Sequence, residues 1–262
     1  MSLEFLLKEF KYSNFKYFHT PCEGFMNSYF VLKYANGCFI KLHNSQEVFN
    51  SGALSALIVN VKRNLIKKPL MFFTSGLLKK GTISEYSNFN EFNYNLSYWS
   101  SWSNGFSIWK EDFDIIAASV SLNTLFPHTS LFFTQYYKNG FIINDQHLFT
   151  TQFIKKRGGH NKFHAFTIEY PSLIENARKK GFIKLETKNK ILNDILYNYL
   201  PLLFFNVKIA KRENFSSKGF KSHIKVYFPI GSYWVVILLS FFVPLKIMCR
   251  KIKIKYFLNS QF

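Results

Sequence analysis

The amino-acid sequence predicts an α/β fold with a parallel sheet flanked by helices. Residues 70–74 form a short, continuous apolar run between Pro69 and Ser75-Gly76, which is typical of a strand buried on both faces. Residues 45–62 before it carry apolar side chains at a roughly helical spacing. The residues after it predict a helix and then a second strand, and this alternation is typical of α/β proteins.

The sequence also predicts where each of these first elements begins and ends. The helix at 45–62 has Asn44 or Ser45 as its candidate cap, and Pro69 follows it. The next helix is expected at 77–89 and the second strand at 92–96. A chain of 262 residues buries a sizeable core, which fits one domain carrying a long insertion.

The charge balance indicates an anionic partner. The chain has 34 Lys and Arg against 15 Asp and Glu, which gives a formal net charge of +19. The positive side chains repel one another unless an anionic partner neutralises them. Nucleic acid is the leading candidate, because 32 Phe, 15 Tyr and 4 Trp provide rings that stack on bases or fill a core. Abundant Phe, Tyr, Lys, Asn and Ile, which have AT-rich codons, are typical of proteins from AT-rich genomes.

The sequence contains no motif that predicts catalysis. It has no GxGxxG, no GxxxxGK[ST] and no GxSxG, and Asp112, Asp114 and Asp145 form no recognisable acid/base or metal group. We therefore expect no enzymatic activity, no cofactor and no small-molecule substrate.

The cysteines and histidines do not predict a metal site. Cys22, Cys38 and Cys249 form no CxxC pair, and three cysteines cannot all pair within the chain, which favours a reducing compartment. His160 and His164 have helical spacing, but they lie in a basic loop without an HExxH context. A solvated or RNA-facing loop is favoured there over zinc.

Three stretches in the first half of the chain carry a resemblance to a known family. Residues 26–43 contain an aromatic segment, an Asn-Gly turn and an apolar strand, and residues 95–109 form a tryptophan-rich loop. Residues 114–119 are an aspartate followed by an apolar segment, expected as a strand. The residues of the first two stretches that carry the match are Met26, Tyr29, Phe30, Asn36, Gly37, Phe39, Ile40, Leu42, Trp99, Trp102, Gly105, Phe106, Ser107 and Trp109.

Two further stretches follow in the same order. Residues 190–206 are expected to form a helix at 191–199 and a strand at 200–206, which contains Pro201. Residues 227–232 form a turn with Gly231, and Ser232 is the candidate cap of a closing helix at 233–244.

These five stretches resemble the universal small-subunit ribosomal protein 2 family. The resemblance implies a Rossmann-like (flavodoxin-like) parallel sheet on the solvent side of the small subunit, in contact with small-subunit rRNA and neighbouring ribosomal proteins. The long helical hairpin of bacterial members is expected to be missing, because only residues 110–113 lie between the second and third stretches. Residues 1–121 would form the first part of the domain, 122–186 a basic insertion, 187–245 the second part and 246–262 a basic tail.

Two details of this match stay open. Either Trp99 or Trp102 takes the place of the family's loop tryptophan, and the three clustered tryptophans serve either packing or base stacking. Residues 131–143, where Gln135 and Gly140 match, compete with 190–206 for the fourth stretch. The later stretch is preferred, because Pro201 supplies the expected proline.

The expected RNA contacts are basic residues in loops and tails, since Lys and Arg bind by neutralising phosphates. They are Lys33, Lys41, Lys79, Lys80, Lys155, Lys156, Arg157, Lys179, Lys180, Arg250, Lys251 and Lys253. The expected location is the mitochondrial matrix, with the protein encoded in the organelle, because the opening segment lacks the composition of an import sequence.

One rival interpretation depends on residues 226–245, which carry no charge and lie between Lys225 and Lys246. In isolation they qualify as a transmembrane helix, which would make this a membrane-anchored accessory subunit of an organellar respiratory complex. Pro229 and Gly231 shorten the plausible helix to 233–244, so no stable membrane insertion is expected.

Overall fold

The central sheet has three strands in the order β3, β6, β4 (Leu70–Phe73, Phe141–Asn144, Ile83–Tyr86). In the computed structural model, which describes residues 16–152 and 158–249, β3 and β6 are parallel and pair from Leu70 with Phe141. Strand β4 is antiparallel to β6. Every residue of β3 and β6 is buried, so the prediction of a doubly buried strand at 70–74 is confirmed.

Two short antiparallel ladders lie beside this sheet. Strand β1 (Phe39–Lys41) pairs with β5 (Ser107–Trp109), and β2 (Glu47–Phe49) pairs with β7 (Phe149–Thr151). A single bridge between Phe72 and Phe106 links the residue just before β5 to β3. The protein is thus mixed α/β, as expected in outline, but its described sheets are small and contain one parallel pair.

Helices make up most of the remaining described structure. The α-helices are Asn27–Tyr34, Ala53–Arg63, Phe89–Leu96, Lys110–Ile116, Pro127–Thr134, Lys162–His164, Tyr170–Lys179, Leu185–Asp194, Leu200–Phe204, Phe220–Tyr227 and Ser232–Phe241. Two π-helical stretches, Ala165–Glu169 and Ile195–Tyr199, lie just before Pro171 and Pro201. Proline has no N–H for the helical ladder, but a third π-helical stretch, Phe205–Ile209, has no proline close after it.

The core divides along the two faces of β3, because successive strand residues point to opposite sides. Leu70 and Phe72 enter the larger cluster with Phe92 and Phe132, whose rings stack with centroids 5.7 Å apart. Met71 and Phe73 enter a smaller cluster on the other face with Trp109 and Phe149. Helix Ala53–Arg63 covers this smaller cluster through Ala53 and Leu57.

For two elements after β3 the predicted types of secondary structure are exchanged. Residues 77–89, expected as a helix, form a turn and strand β4, while 92–96, expected as a strand, belong to helix Phe89–Leu96. Asn88 caps this helix by accepting a hydrogen bond from the Glu91 N–H at 2.8 Å. The buried residues of this helix follow the spacing of a helical face: Phe89, Phe92, Asn93 and Leu96.

Two further predicted strands are helical. Residues 114–119 begin inside helix Lys110–Ile116, where Lys110 and Asp114 form an i,i+4 ion pair at 2.8 Å. Residues 200–206 continue the helix predicted at 191–199, and their apolar side chains pack against neighbouring helices. A short apolar run is compatible with either a strand or a buried helix, and tertiary packing decides between them.

The helix predictions at 45–62 and 233–244 are confirmed with changed starts. The first begins only at Ala53, because residues 47–49 are strand β2, and Gly52 replaces Asn44 or Ser45 at its start. The closing helix is Ser232–Phe241, with further helical residues at 243–249, and Gly231 precedes it with a left-handed φ of 90°. Glycine adopts this conformation without steric cost, so Gly231 and not the Ser232 side chain shapes the turn.

The segment 122–186, expected as an insertion, contributes to the main core. It supplies β6, the central strand of the sheet, and helix Pro127–Thr134. It is also tied to the loop at 97–101, because the hydroxyls of Ser100 and Tyr170 lie 2.7 Å apart. It therefore does not form a separate lobe.

Among the described residues, no single helix is long and apolar enough to cross a membrane. Helices Phe220–Tyr227 and Ser232–Phe241 reach that length and composition only as a pair, and they meet at an angle of 114°.

Candidate nucleic-acid interface

The loop at residues 75–81 is organised by one carboxylate. Asp145, which directly follows β6 and is 1% exposed, accepts hydrogen bonds from the Thr74 hydroxyl at 2.5 Å and from the Leu78 N–H at 3.1 Å. Its other oxygen accepts from the N–H groups of Lys80 at 2.7 Å and Gly81 at 3.1 Å. Four donors thus fold the loop around the end of β6.

The pKa of Asp145 reflects this environment. Burial by itself raises the pKa of the carboxyl, but the hydroxyl and three backbone N–H donors favour the charged form more strongly. The net result is a pKa below the ordinary value of 3.8. Asp145 is therefore ionised at neutral pH and serves as an anchor for the loop.

This loop presents two of the predicted RNA contacts to solvent. Lys79 and Lys80 are both exposed, and the Lys80 ammonium donates to the Asn95 side-chain oxygen at 3.2 Å. The loop lies at the carboxyl end of the parallel strands β3 and β6, where open α/β sheets commonly bind their ligands. Lys79 has a left-handed φ of 59°, which the hydrogen bonds to Asp145 help to hold.

Lys33, Lys179 and Lys180 are also exposed but belong to other elements. Lys33 lies near the end of helix Asn27–Tyr34, with its ammonium 5.5 Å from the Tyr29 ring. Lys179 ends helix Tyr170–Lys179, and Lys180 follows it. Within the described ranges, no hydrogen bond or ring contact joins these three lysines to the loop at 75–81.

Lys41 does not fit its predicted role. Its ammonium donates to the backbone carbonyls of Asn104 at 2.7 Å and Leu42 at 2.9 Å, and it lies 4.6 Å from the centre of the Phe149 ring. Burial lowers the pKa of Lys41 to about 7, against the attraction of Glu47. A group held in this way is not available to a phosphate, so Lys41 is removed from the candidate interface.

Lys41 should give the stability of the protein a pH dependence. Its pKa is about 7 in the folded state and near 10.5 when unfolded, so between these values the unfolded chain binds more protons. We expect the free energy of unfolding of the wild type to rise relative to that of Lys41→Met as the pH increases across this window. Urea denaturation at several pH values measures the difference, and parallel curves for the two proteins would contradict it.

Six of the predicted contacts lie outside the described residues: Lys155, Lys156, Arg157, Arg250, Lys251 and Lys253. Their role in RNA binding remains a prediction from the sequence.

Most of the excess positive charge lies on the surface. Seven ion pairs in the described structure engage Glu111, Asp112, Asp114, Glu169, Glu175 and Asp194. Many exposed cations belong to none of these pairs: Lys33, Lys62, Arg63, Lys67, Lys79, Lys80, Lys179, Lys180, Lys184, Lys208, Lys211, Arg212, Lys218, Lys221, Lys225 and Lys246.

The predicted contacts do not include the basic residues of the C-terminal helices. Residues 195–249 contain seven Lys or Arg and one acid, Glu213. That imbalance is visible in the sequence, but isolated lysines such as Lys221 and Lys225 lie on helix Phe220–Tyr227 and not in the loops and basic dipeptides of the prediction. Their exposure follows from helix packing, which composition does not reveal.

The tryptophan loop is chiefly a packing element. Trp109 is 1% exposed, and its indole N–H donates to the Pro69 carbonyl at 2.8 Å, so it cannot stack on a base. Trp99 and Trp102 are half-buried, with ring centroids 6.3 Å apart. Gly105 lies directly against Phe72 and Phe73 of β3.

The two histidines expected in a basic loop are engaged in packing and pairing, and His164 belongs to helix Lys162–His164 rather than to a loop. His160 makes an edge contact with the Phe215 ring, with centroids 4.8 Å apart, and His164 lies 3.0 Å from the Glu169 carboxylate. The described part of the chain contains no group of three or more His, Cys, Asp or Glu that could hold a metal ion.

No protein-family model, no curated protein and no solved structure matches this chain.

Proposed function

We propose that this protein is a structural, RNA-binding constituent of the small ribosomal subunit, and a divergent, organelle-encoded mitochondrial member of the protein 2 family. The observation that carries the proposal is the Lys79-Lys80 loop at the carboxyl end of the parallel β3–β6 pair, on a surface with excess positive charge. In this proposal, β3 and β6 are the centre of a reduced Rossmann-like sheet. The protein contributes to assembly and architecture and catalyses no reaction.

The position of β6 in the sheet changes which residues are matched to the fourth stretch of the family. The strand expected at 200–206 is helical, whereas residues 131–143 run from helix Pro127–Thr134 into β6. The alternative match through Gln135 and Gly140 therefore supports the proposal better than the preferred one. The segment 122–186 then belongs to the family core, and the helices after it form the addition.

Binding in this proposal is mainly electrostatic. Lysine ammonium groups neutralise phosphates and release the counterions condensed on the RNA, so the affinity falls steeply as salt increases. Asp145 acts as a positioning residue, because it fixes the backbone that carries Lys79 and Lys80. The fixed loop loses less conformational freedom on binding than a mobile one would.

Removing the two loop charges is expected to weaken RNA binding. For Lys79→Gln/Lys80→Gln we expect an affinity for a small-subunit rRNA transcript about tenfold lower at moderate salt, and a log–log salt slope shallower by about two. The matched control is Lys68→Gln/Lys110→Gln, which removes the same charge from lysines already paired with Glu111 and Asp114. Equal losses of RNA affinity in both double variants would show that binding depends only on net charge, and would contradict a role for the loop at 75–81.

The cellular assignment is tested by sedimentation. Detergent-solubilised mitochondria are run through a gradient at moderate and high salt, and this chain is followed by mass spectrometry. Co-migration with the small ribosomal subunit after the membranes are dissolved supports the proposal. Migration with a membrane complex free of rRNA would overturn it in favour of the respiratory-subunit interpretation.

A further inference from the structure

In helix Ser232–Phe241 the small polar residues are buried and several large apolar residues are exposed. Its two serines are buried, Ser232 at 3% and Ser240 at 0% exposure. Trp234, Leu238 and Phe241 are 62%, 61% and 62% exposed. A surface helix of a protein surrounded by water normally shows the opposite pattern, so this helix indicates an apolar environment on its outer side.

The exposed side chains form one continuous stripe. The outer-face stripe comprises Ile230, Trp234, Leu238, Phe241, Leu245 and Met248, all at least 52% exposed. The spacing of three or four residues places Trp234, Leu238 and Phe241 on one side of helix Ser232–Phe241. Leu245 and Met248 continue that spacing in the helical residues 243–249, after the turn at Phe242. Ile230, which is 98% exposed, begins the stripe at the turn before the helix.

Cations border this stripe. The Lys221 ammonium lies 5.6 Å from the Trp234 ring, Lys225 follows one turn later on the same helix, and Lys246 comes directly after Leu245. The sequence contains no Asp or Glu after Glu213. An apolar stripe with tryptophan and a purely basic border matches the surface of an anionic bilayer, where acyl chains take the apolar groups and headgroups attract the lysines.

We propose that the outer-face stripe docks this protein reversibly on an anionic lipid bilayer. The helix lies in the plane of the interface with Trp234, Leu238 and Phe241 below the headgroups and Lys221, Lys225 and Lys246 at their level. This is surface docking and not a membrane span. A second copy of the chain is a poorer occupant, since two stripes bordered only by cations repel each other. The inference is independent of the proposed RNA binding.

Vesicle flotation of the full-length protein tests the proposal. We expect the wild type to float with vesicles containing phosphatidylglycerol and to remain unbound with phosphatidylcholine alone. Leu238→Ser/Phe241→Ser should bind at least tenfold more weakly. The matched control is Ile66→Ser/Ile115→Ser, which removes two apolar side chains that are 98% and 72% exposed elsewhere.

Tryptophan fluorescence gives a second readout at the stripe. Binding should shift the emission of Trp234 to shorter wavelength, and Trp234→Phe should abolish that shift. Equal binding to neutral vesicles, or equal losses in the stripe and control variants, would overturn the proposal. Dimerisation through the stripe in light scattering without vesicles would assign it to a protein interface and overturn the proposal as well. Leu238→Ser/Phe241→Ser should keep the wild-type RNA affinity, so the two proposals fail separately.

Discussion

Replacing Asp145 with Asn should lower the free energy of unfolding by about 3 kcal/mol, because hydrogen bonds to a charged acceptor contribute about 1.5–3 kcal/mol each and buried donors are left unpaired. The amide cannot accept at both positions, so its NH₂ group would face either the N–H groups of Lys80 and Gly81 or the Thr74 hydroxyl and the Leu78 N–H. Urea denaturation at neutral pH measures the change. Asp114→Asn is the control, because its ion pair with Lys110 is on the surface and should contribute well under 1 kcal/mol.

The effect of Asp145→Asn should depend on pH in a defined direction. Because the folded-state pKa lies below 3.8, the stabilisation by Asp145 is complete above that value and is lost as the pH falls through the folded pKa. The stability difference between wild type and variant should therefore be constant near neutrality and shrink in acid. A difference that instead grows in acid would show that Asp145 is not held as a carboxylate.

The same variant separates positioning from charge in the RNA-binding proposal. Asp145→Asn keeps Lys79 and Lys80 but releases the backbone that presents them, so RNA affinity should fall although the net charge of the protein becomes more positive. Lys79→Gln/Lys80→Gln should reduce affinity with little change in stability, since both side chains are exposed. A rise in the RNA affinity of Asp145→Asn would show that non-specific charge governs binding.

Replacing Gly105 with Ala should lower the free energy of unfolding by about 3 kcal/mol or more, or prevent folding, because overpacking in a rigid core forces neighbouring groups to move. An added Cβ would lie 2.6 Å from the Phe72 Cζ atom and 2.8 Å from the Phe73 carbonyl oxygen. Both phenylalanines are 0% exposed and belong to β3. The oxygen is part of the backbone, so repacking of side chains alone does not relieve the contact.

Gly140→Ala is the matched control for this prediction. Gly140 also lies beside β3, but an added Cβ would have as its nearest neighbour the Pro69 Cβ at 3.5 Å, which is an ordinary van der Waals distance. We expect Gly140→Ala to change stability by less than about 1 kcal/mol. Thermal denaturation followed by circular dichroism compares the two variants, and similar melting temperatures would contradict the close packing of the loop against β3.

The helix at 89–96 has local sequence signals that predict a helix, although a strand was expected at 92–96. Asn88 followed by Glu91 is a capping pattern, and the apolar residues repeat at helical spacing. The strand prediction followed instead from the alternation of helices and strands that is expected of an α/β fold. At 200–206 no local signal decides, since a run such as Leu-Pro-Leu-Leu-Phe-Phe suits either a buried strand or a buried helix.

The sequence by itself determined the features that depend on local chemistry or composition. Residues 70–73 are a buried strand because they are continuously apolar and bounded by turn residues, and residues 232–241 are helical after a glycine turn. The excess of cations over acids is a property of the composition and leaves positive charge on the surface in any fold.

Only the tertiary structure decided which distant residues meet. It placed β6 beside β3, folded the loop at 75–81 around Asp145 and turned the Lys41 ammonium towards two carbonyls. It also turned the serines of helix Ser232–Phe241 inward and its large apolar residues outward. The physical reason is that each of these outcomes depends on burial and hydrogen bonding between segments far apart in the chain, which residue spacing does not encode.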